Sequence, residues 1–300
     1  MKRIIFVFVL ILFATLFANA QDTVKYWNYG GFATITFNQM GLSNWTKGGE
    51  NSLSLSGLMN LYAKYKKSDF EWENTLDLGY GLLQNDEDKI RKTDDKIDFN
   101  SKLGYKAVEN LFYTALLNFK SQFTEGFKYP NDSVSVSNFL APGYLIASVG
   151  MDFKASKYFS IYFSPATGRF IFVNDQRLAD SAIYGNVKGE KFKADFGAYL
   201  TTQVQLSLME NVDFKSKLDL FNNYTDKNEG NRSNIDVNWE SSIVMKVNSF
   251  ITANIFTHLI YDHDTKVPIY ENINNVKAKI GEGPRTQFKE VLGIGLSYKF

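Results

Sequence analysis

Carboxylates and ammonium groups recur at even spacing in this chain, and that spacing is where any chemistry would reside. Glu71, Glu73 and Asp77 form one group, and Lys96, Asp98, Lys102 and Lys106 follow soon after. Further on stand Asp213, Lys215, Lys217 and Asp219, then Asp236, Glu240 and Lys246. Residues two or four apart share one face of a β-strand, so each group presents charge of both signs on a single side. Such faces, set beside one another in a sheet, would attract across neighbouring strands and hold register. Two functional consequences stand open. The charges would line a pore and select solutes, or they would pair off and fill a narrow lumen.

Catalysis finds less support. The chain has two histidines, His258 and His263, and neither a His-x-Ser nor an Asp-x-His arrangement occurs. A hydrolytic site needs a nucleophile beside a base, or an acid–histidine pair that activates water. No catalytic residue and no metal ligand set is therefore expected, and two histidines are few for a dedicated metal site. Asp86, Glu87 and Asp88 with Asp94 and Asp95 lack the glycine-centred spacing of a calcium loop and read as a solvated outer loop. Gly79 and Gly81, like Gly293 and Gly295, sit in strand patterns with no helix following, so they are not phosphate loops.

The elements that must position these charges are strands of alternating polarity. The clearest is 69–83, where Phe70, Trp72, Leu76, Leu78, Tyr80 and Leu82 oppose Glu71, Glu73, Thr75, Asp77, Gly79 and Gly81. An apolar period of two excludes a helix there. Comparable runs occur near 31–39, 51–65, 96–107, 111–124, 143–154, 158–165, 191–208, 212–224, 234–247, 250–262 and 288–300, twelve in all. The connections alternate in kind, five tight and six long and polar, with a short helix expected near 175–181. That asymmetry predicts an antiparallel transmembrane β-barrel with about twelve strands, short periplasmic turns and long outer loops. Aromatic residues near the turns (Tyr29, Tyr65, Phe70, Trp72, Tyr105, Tyr113, Tyr158, Phe214, Tyr298 and Phe300) are expected in the periplasmic interface girdle.

Composition agrees with an exported chain. Residues 1–20 pair Lys2 and Arg3 with an apolar run and end in Ala18-Asn19-Ala20, a signal-peptide pattern, leaving a barrel domain over 21–300. Formal charge is +1 over the whole sequence, so removing Lys2 and Arg3 leaves 31 basic against 32 acidic residues. Such a balance gives no basic surface for nucleic acid. There is no cysteine, which excludes disulfides and thiolate chemistry. No cofactor is expected.

The last strand, FKEVLGIGLSYKF, places Leu292, Ile294, Leu296, Tyr298 and Phe300 on one face and ends on the aromatic residue. It resembles the C-terminal strand of bacterial outer-membrane barrels, and the resemblance implies an insertion signal read by the barrel-assembly machinery. Three passages extend the likeness: YGGFATITFNQMGLSNWTKGGENSLSL (29–55), WENTLDLGYGLLQ (72–84) and SNFLAPGYLIASVGMDF (137–153). With Asn38-Gln39, Ser43-Asn44-Trp45 and Gly48-Gly49, the chain resembles an uncharacterised Bacteroidetes-type outer-membrane family, a domain of unknown function. The resemblance implies a barrel in the outer membrane of a Gram-negative cell and supplies no catalytic residue. Asp22-Thr23-Val24, Asp132-Ser133-Val134 and Asp180-Ser181-Ala182 look like a short O-glycosylation sequon of that group. The expected function is a narrow porin-like channel for small solutes. Its rivals are a non-conducting accessory subunit of an envelope complex and, further off, a rim hydrolase. Expected partners are outer-membrane lipid, the assembly machinery and envelope proteins.

Overall fold

A computed structural model describes residues 26–42, 50–85, 89–273 and 276–300. The signal segment, Asp22, the Ser43–Gly49 part of the quoted pattern and Asp86–Asp88 lie outside the described residues. Twelve strands close into one antiparallel barrel. In chain order they are β1 (Trp27–Met40), β2 (Ser52–Lys67), β3 (Phe70–Asn85), β4 (Arg91–Val108), β5 (Leu111–Ser121), β8 (Gly143–Ser156), β9 (Phe159–Phe172), β10 (Phe192–Met209), β11 (Val212–Asn223), β12 (Ile235–Lys246), β13 (Ile251–Tyr261) and β16 (Gln287–Lys299). Two outer loops carry small hairpins of their own, β6 (Gly126–Phe127) with β7 (Ser135–Ser137), and β14 (Val267–Ile273) with β15 (Val276–Gly283). One short helix, α1 (Gln176–Ser181), sits between β9 and β10.

Closure joins the two ends of the barrel. β16 pairs with β1, and Gly31 and Phe300 exchange both backbone hydrogen bonds at 3.0 Å. A Cβ on Gly31 would stand 2.3 Å from the Asn60 carbonyl oxygen, so this position accepts no side chain without moving the β2 backbone. Closure removes every free sheet edge, the condition for strands to cross a bilayer.

The alternation seen in the sequence becomes outside and inside. Leu292, Ile294 and Leu296 are 69%, 62% and 64% exposed on the outer face of β16, with Tyr298 and Phe300 beyond them. Trp27, Tyr65, Trp72 and Phe70 cluster ring to ring at the turn end, and Tyr29, Tyr105, Tyr113 and Tyr158 are exposed. Several polar groups on this outer face are partnered within the wall. The Trp72 indole donates to Ser101 and the Trp239 indole to Ser216, each at 2.9 Å, and Ser216 meets Ser241. Hydrocarbon offers no alternative partner, so such groups must be satisfied within the wall.

Three expectations are corrected. The seventh barrel strand runs to Phe172, whereas alternation ended it at 165. Its phase inverts at a bulge: Phe163 faces out, yet Thr167, Arg169 and Ile171 face in. Pro165 lacks an N–H, and the Ser164 hydroxyl donates to the Val149 carbonyl while accepting from the Ala166 N–H. Residues 91–95 belong to β4, so Asp94 and Asp95 are strand residues rather than part of a solvated loop. The connections at 125–142 and 262–285, expected only as long loops, contain the two hairpins.

Candidate functional site

The inward faces carry the charges, and the barrel order shows how far they reach. β4 and β12 are six strands apart in either direction, which makes them opposite walls. Lys96 Nζ on β4 nevertheless lies 2.7 Å from Glu240 Oε2 on β12. Twelve strands about 4.8 Å apart and tilted about 40° would close a circle roughly 24 Å across. Extended lysine and glutamate side chains together reach only about 11 Å on ordinary bond lengths. The barrel is therefore flattened, with β4 and β12 drawn together, and this ion pair crosses the lumen as a chord.

The chord separates two unlike compartments. On the side walled by β5, β8, β9, β10 and β11, the interior is filled. Leu116, Tyr162, Tyr199 and Phe221 form a buried cluster, with Tyr162 at 0% and Tyr199 at 2% exposure. The Tyr199 hydroxyl donates to Asp219 at 2.8 Å, and Tyr162 meets the Ser148 hydroxyl at the same distance. Ion pairs complete the filling. Lys102 meets Asp152 at 3.1 Å, and Lys120 joins Asp98 and Asp219. Lys217 also reaches Asp219, and the Arg169 guanidinium meets Asp195, Asp236 and Asp264 while covering the Phe221 ring.

The outer end of this compartment is capped. Leu178 and Ala179 of α1 pack on Ala141, Ile171 and Val173, with Tyr144, Ile183 and Tyr184 alongside. Asp175 caps α1 by accepting from the Arg177 and Leu178 N–H groups. The Arg177 guanidinium beside it draws the Asp175 carboxyl below the usual carboxylate range. Asn186 donates to the carbonyls of Ala179, Val187 and Glu190, which holds the rest of the loop to the helix.

The compartment walled by β13, β16, β1, β2 and β3 is lined differently. Its inward positions include Ser52, Ser54 and Ser56 on β2, Gly79 and Gly81 on β3, Thr34 and Thr36 on β1, and Gly293, Gly295 and Ser297 on β16. Small side chains leave space. The three β2 serines and Thr36 are half-buried, and the inward Leu58 is 42% exposed. A second ion pair, Lys289 with Asp94 at 2.6 Å, crosses from β16 to β4 and borders this space.

The remaining predicted site residues fall around these two features. Glu71 and Glu73 both bind Lys154, and Glu73 also meets Lys64. Lys106 lies with Glu71, Asp69 and Glu109 around a cavity of about 250 Å³ at the periplasmic rim. Asp213 pairs with Lys246 at 2.7 Å near the β12–β13 turn. Asp77 accepts from the Asn60 amide at 2.5 Å, and Lys215 rests over the Phe32 ring. His258 lies in the lumen beside Asn238 at 2.6 Å and Glu240 at 3.7 Å. His263 occupies the outer mouth, its backbone N–H donating to Asp236. Among the described residues, no group of three or more potential ligands is placed to hold a metal ion.

Sequence reasoning missed Lys120, Asp152, Lys154 and Arg169. Lys120 and Asp152 sat on strands whose inward faces mix polar and apolar residues. Arg169 lay beyond the phase inversion at Pro165. A search that allowed one phase slip at a proline within a strand would have found it.

Comparison with known proteins places part of the chain. Residues 37–127 match the family described as a protein of unknown function (DUF3078). No curated protein matches the chain. Among solved structures, an outer membrane channel from Pseudomonas putida F1 is similar at 12% identity and a TM-score of 0.39, over 94% of this chain and 100% of that one. The NanC porin is similar at 10% identity and a TM-score of 0.37, over 89% and 98%. The outer membrane channel DcaP of Acinetobacter baumannii follows at 9% and 0.33, over 94% and 100%. The closed barrel, its apolar girdled exterior and its charged interior identify a β-barrel of the outer-membrane type.

Proposed function

We propose that the protein is a narrow passive channel for small solutes, with its passage confined to the compartment walled by β16, β1, β2 and β3. The observation that carries this reading is the division of the lumen by the Lys96–Glu240 chord. One side is filled by buried aromatics, whereas the other is lined largely by glycine, serine and threonine, with Leu58 and Phe32 nearer the periplasmic end. Water and small solutes need an inward face that is polar and not occupied by side chains. Only the small-residue wall combines both properties among the described residues.

The reading is tested by single-channel conductance of the refolded protein in planar bilayers. Ser54→Trp should reduce the conductance steps severalfold by placing an indole in the passage, whereas Tyr199→Phe, in the filled compartment, should leave them unchanged. A bilayer that stays silent with correctly folded wild-type protein would refute the channel. That outcome would favour the second reading, a non-conducting structural barrel, which draws support from the same cross-lumen ion pairs and from the α1 cap.

A further inference from the structure

Most charges midway along the lumen have an opposite partner within ion-pair distance, and Asp77 and Lys215, on facing walls, are exceptions among the described residues. Asp77 projects from β3 and Lys215 from β11, which are six strands apart and hence opposite. The Asp77 carboxylate accepts from the Asn60 amide through Oδ1, and no cation lies against it among the described residues. The Lys215 ammonium lies 5.5 Å from the centre of the Phe32 ring and forms no ion pair with a carboxylate among the described residues. Asp77 lies one pleat below Gly79, the residue that pairs with Lys96, and Lys215 lies one pleat below Lys217, which pairs with Glu240. The two charges thus face each other just on the periplasmic side of the closed chord. There Lys215 reaches from β11 to the Phe32 ring of β1, beside the passage, and no ion pair joins it to Asp77.

The geometry points to a subsite for small zwitterions at this level, and we propose that such solutes are the channel's preferred cargo; the inference rests on the channel reading above. A zwitterion carries an ammonium and a carboxylate a few ångströms apart, and it would complete two charge-assisted hydrogen bonds of about 2.8 Å each, one to each wall. Its ammonium would face Asp77 and its carboxylate Lys215. A neutral solute of the same size gains neither contact. A cation or an anion gains one and meets the like charge of the opposite wall. Binding of this kind assists passage when it is strong enough to favour entry and weak enough to permit release.

Liposome swelling distinguishes the claims with a matched pair. Alanine and lactamide have the same atomic composition, but only alanine is zwitterionic at neutral pH. Wild-type protein should admit alanine about tenfold faster than lactamide, the discrimination of one or two charge-assisted contacts. Asp77→Asn keeps the acceptor for Asn60, and Lys215→Met keeps the chain against Phe32. Either should bring the alanine rate down to that of lactamide without changing lactamide entry. Heat-modifiable gel migration verifies folding of each variant. Equal entry of the two solutes through the wild type would overturn the zwitterion subsite and leave the channel standing. Entry of neither would overturn the channel itself.

Discussion

Removing the chord at Lys96 and Glu240 tests the flattened lumen most directly. The two side chains are 28% and 15% exposed, so the pair is only partly dried. Loss of one member of a fully buried pair costs about 3–5 kcal/mol, because the other charge is left unpaired. Partial exposure reduces that figure, so Lys96→Met should cost about 2 kcal/mol. Glu240→Gln should cost a similar amount, since Lys96 retains only Asp98 at 3.9 Å. The double variant should lose less than the sum, with a coupling of about 1–2 kcal/mol. Reversible urea unfolding in detergent micelles or vesicles, followed by tryptophan fluorescence, measures all four corners of the cycle. Conductance supplies an independent readout, because the double variant should widen the constriction and raise the step size. A coupling near zero would refute the reasoning. β4 and β12 would then stand as far apart as a circular section requires, and the lumen would not be divided.

Two further outcomes follow from the wall and the cap. Ile294→Arg places a cation on the outer face of β16, where Ile294 is 62% exposed to lipid. It should destabilise the inserted barrel by about 2–4 kcal/mol if that level is the bilayer midplane and by less nearer an interface, measured by unfolding from vesicles. The N-cap of α1 should be pH-dependent. Arg177 lowers the Asp175 carboxyl, so its stabilisation is fully present above the ordinary carboxylate pKa and is lost as pH falls through the lowered value. Amide NMR shifts of Arg177 and Leu178 should report release of the cap below the ordinary range, while the barrel amides keep their shifts. A cap that loosens at higher pH would contradict the assignment of Arg177 as the cause.

The sequence by itself determined the class of molecule. Strand alternation is a local property, since Phe70 to Leu82 or Leu292 to Phe300 can bury one face only by turning it toward hydrocarbon. Twelve such runs and alternating short and long connections therefore specified a barrel, its outer face and its two ends. The inward positions of Glu71, Asp77, Lys96 and Glu240 were equally legible, because the side-chain period of a strand is two. What those charges do with one another was decided only by the tertiary structure. Residues on opposite walls, such as Lys96 and Glu240, are 144 positions apart and share no ladder, so neither period nor spacing relates them. Their contact depends on how far the closed sheet is flattened. That shape results from side-chain volumes around the whole ring: Tyr162, Tyr199 and Phe221 fill one side, and Ser54, Gly79 and Gly293 occupy little space on the other. Arg169 was hidden for a different reason. One bulge at Pro165 reverses which face points inward, and a fixed period cannot show the reversal.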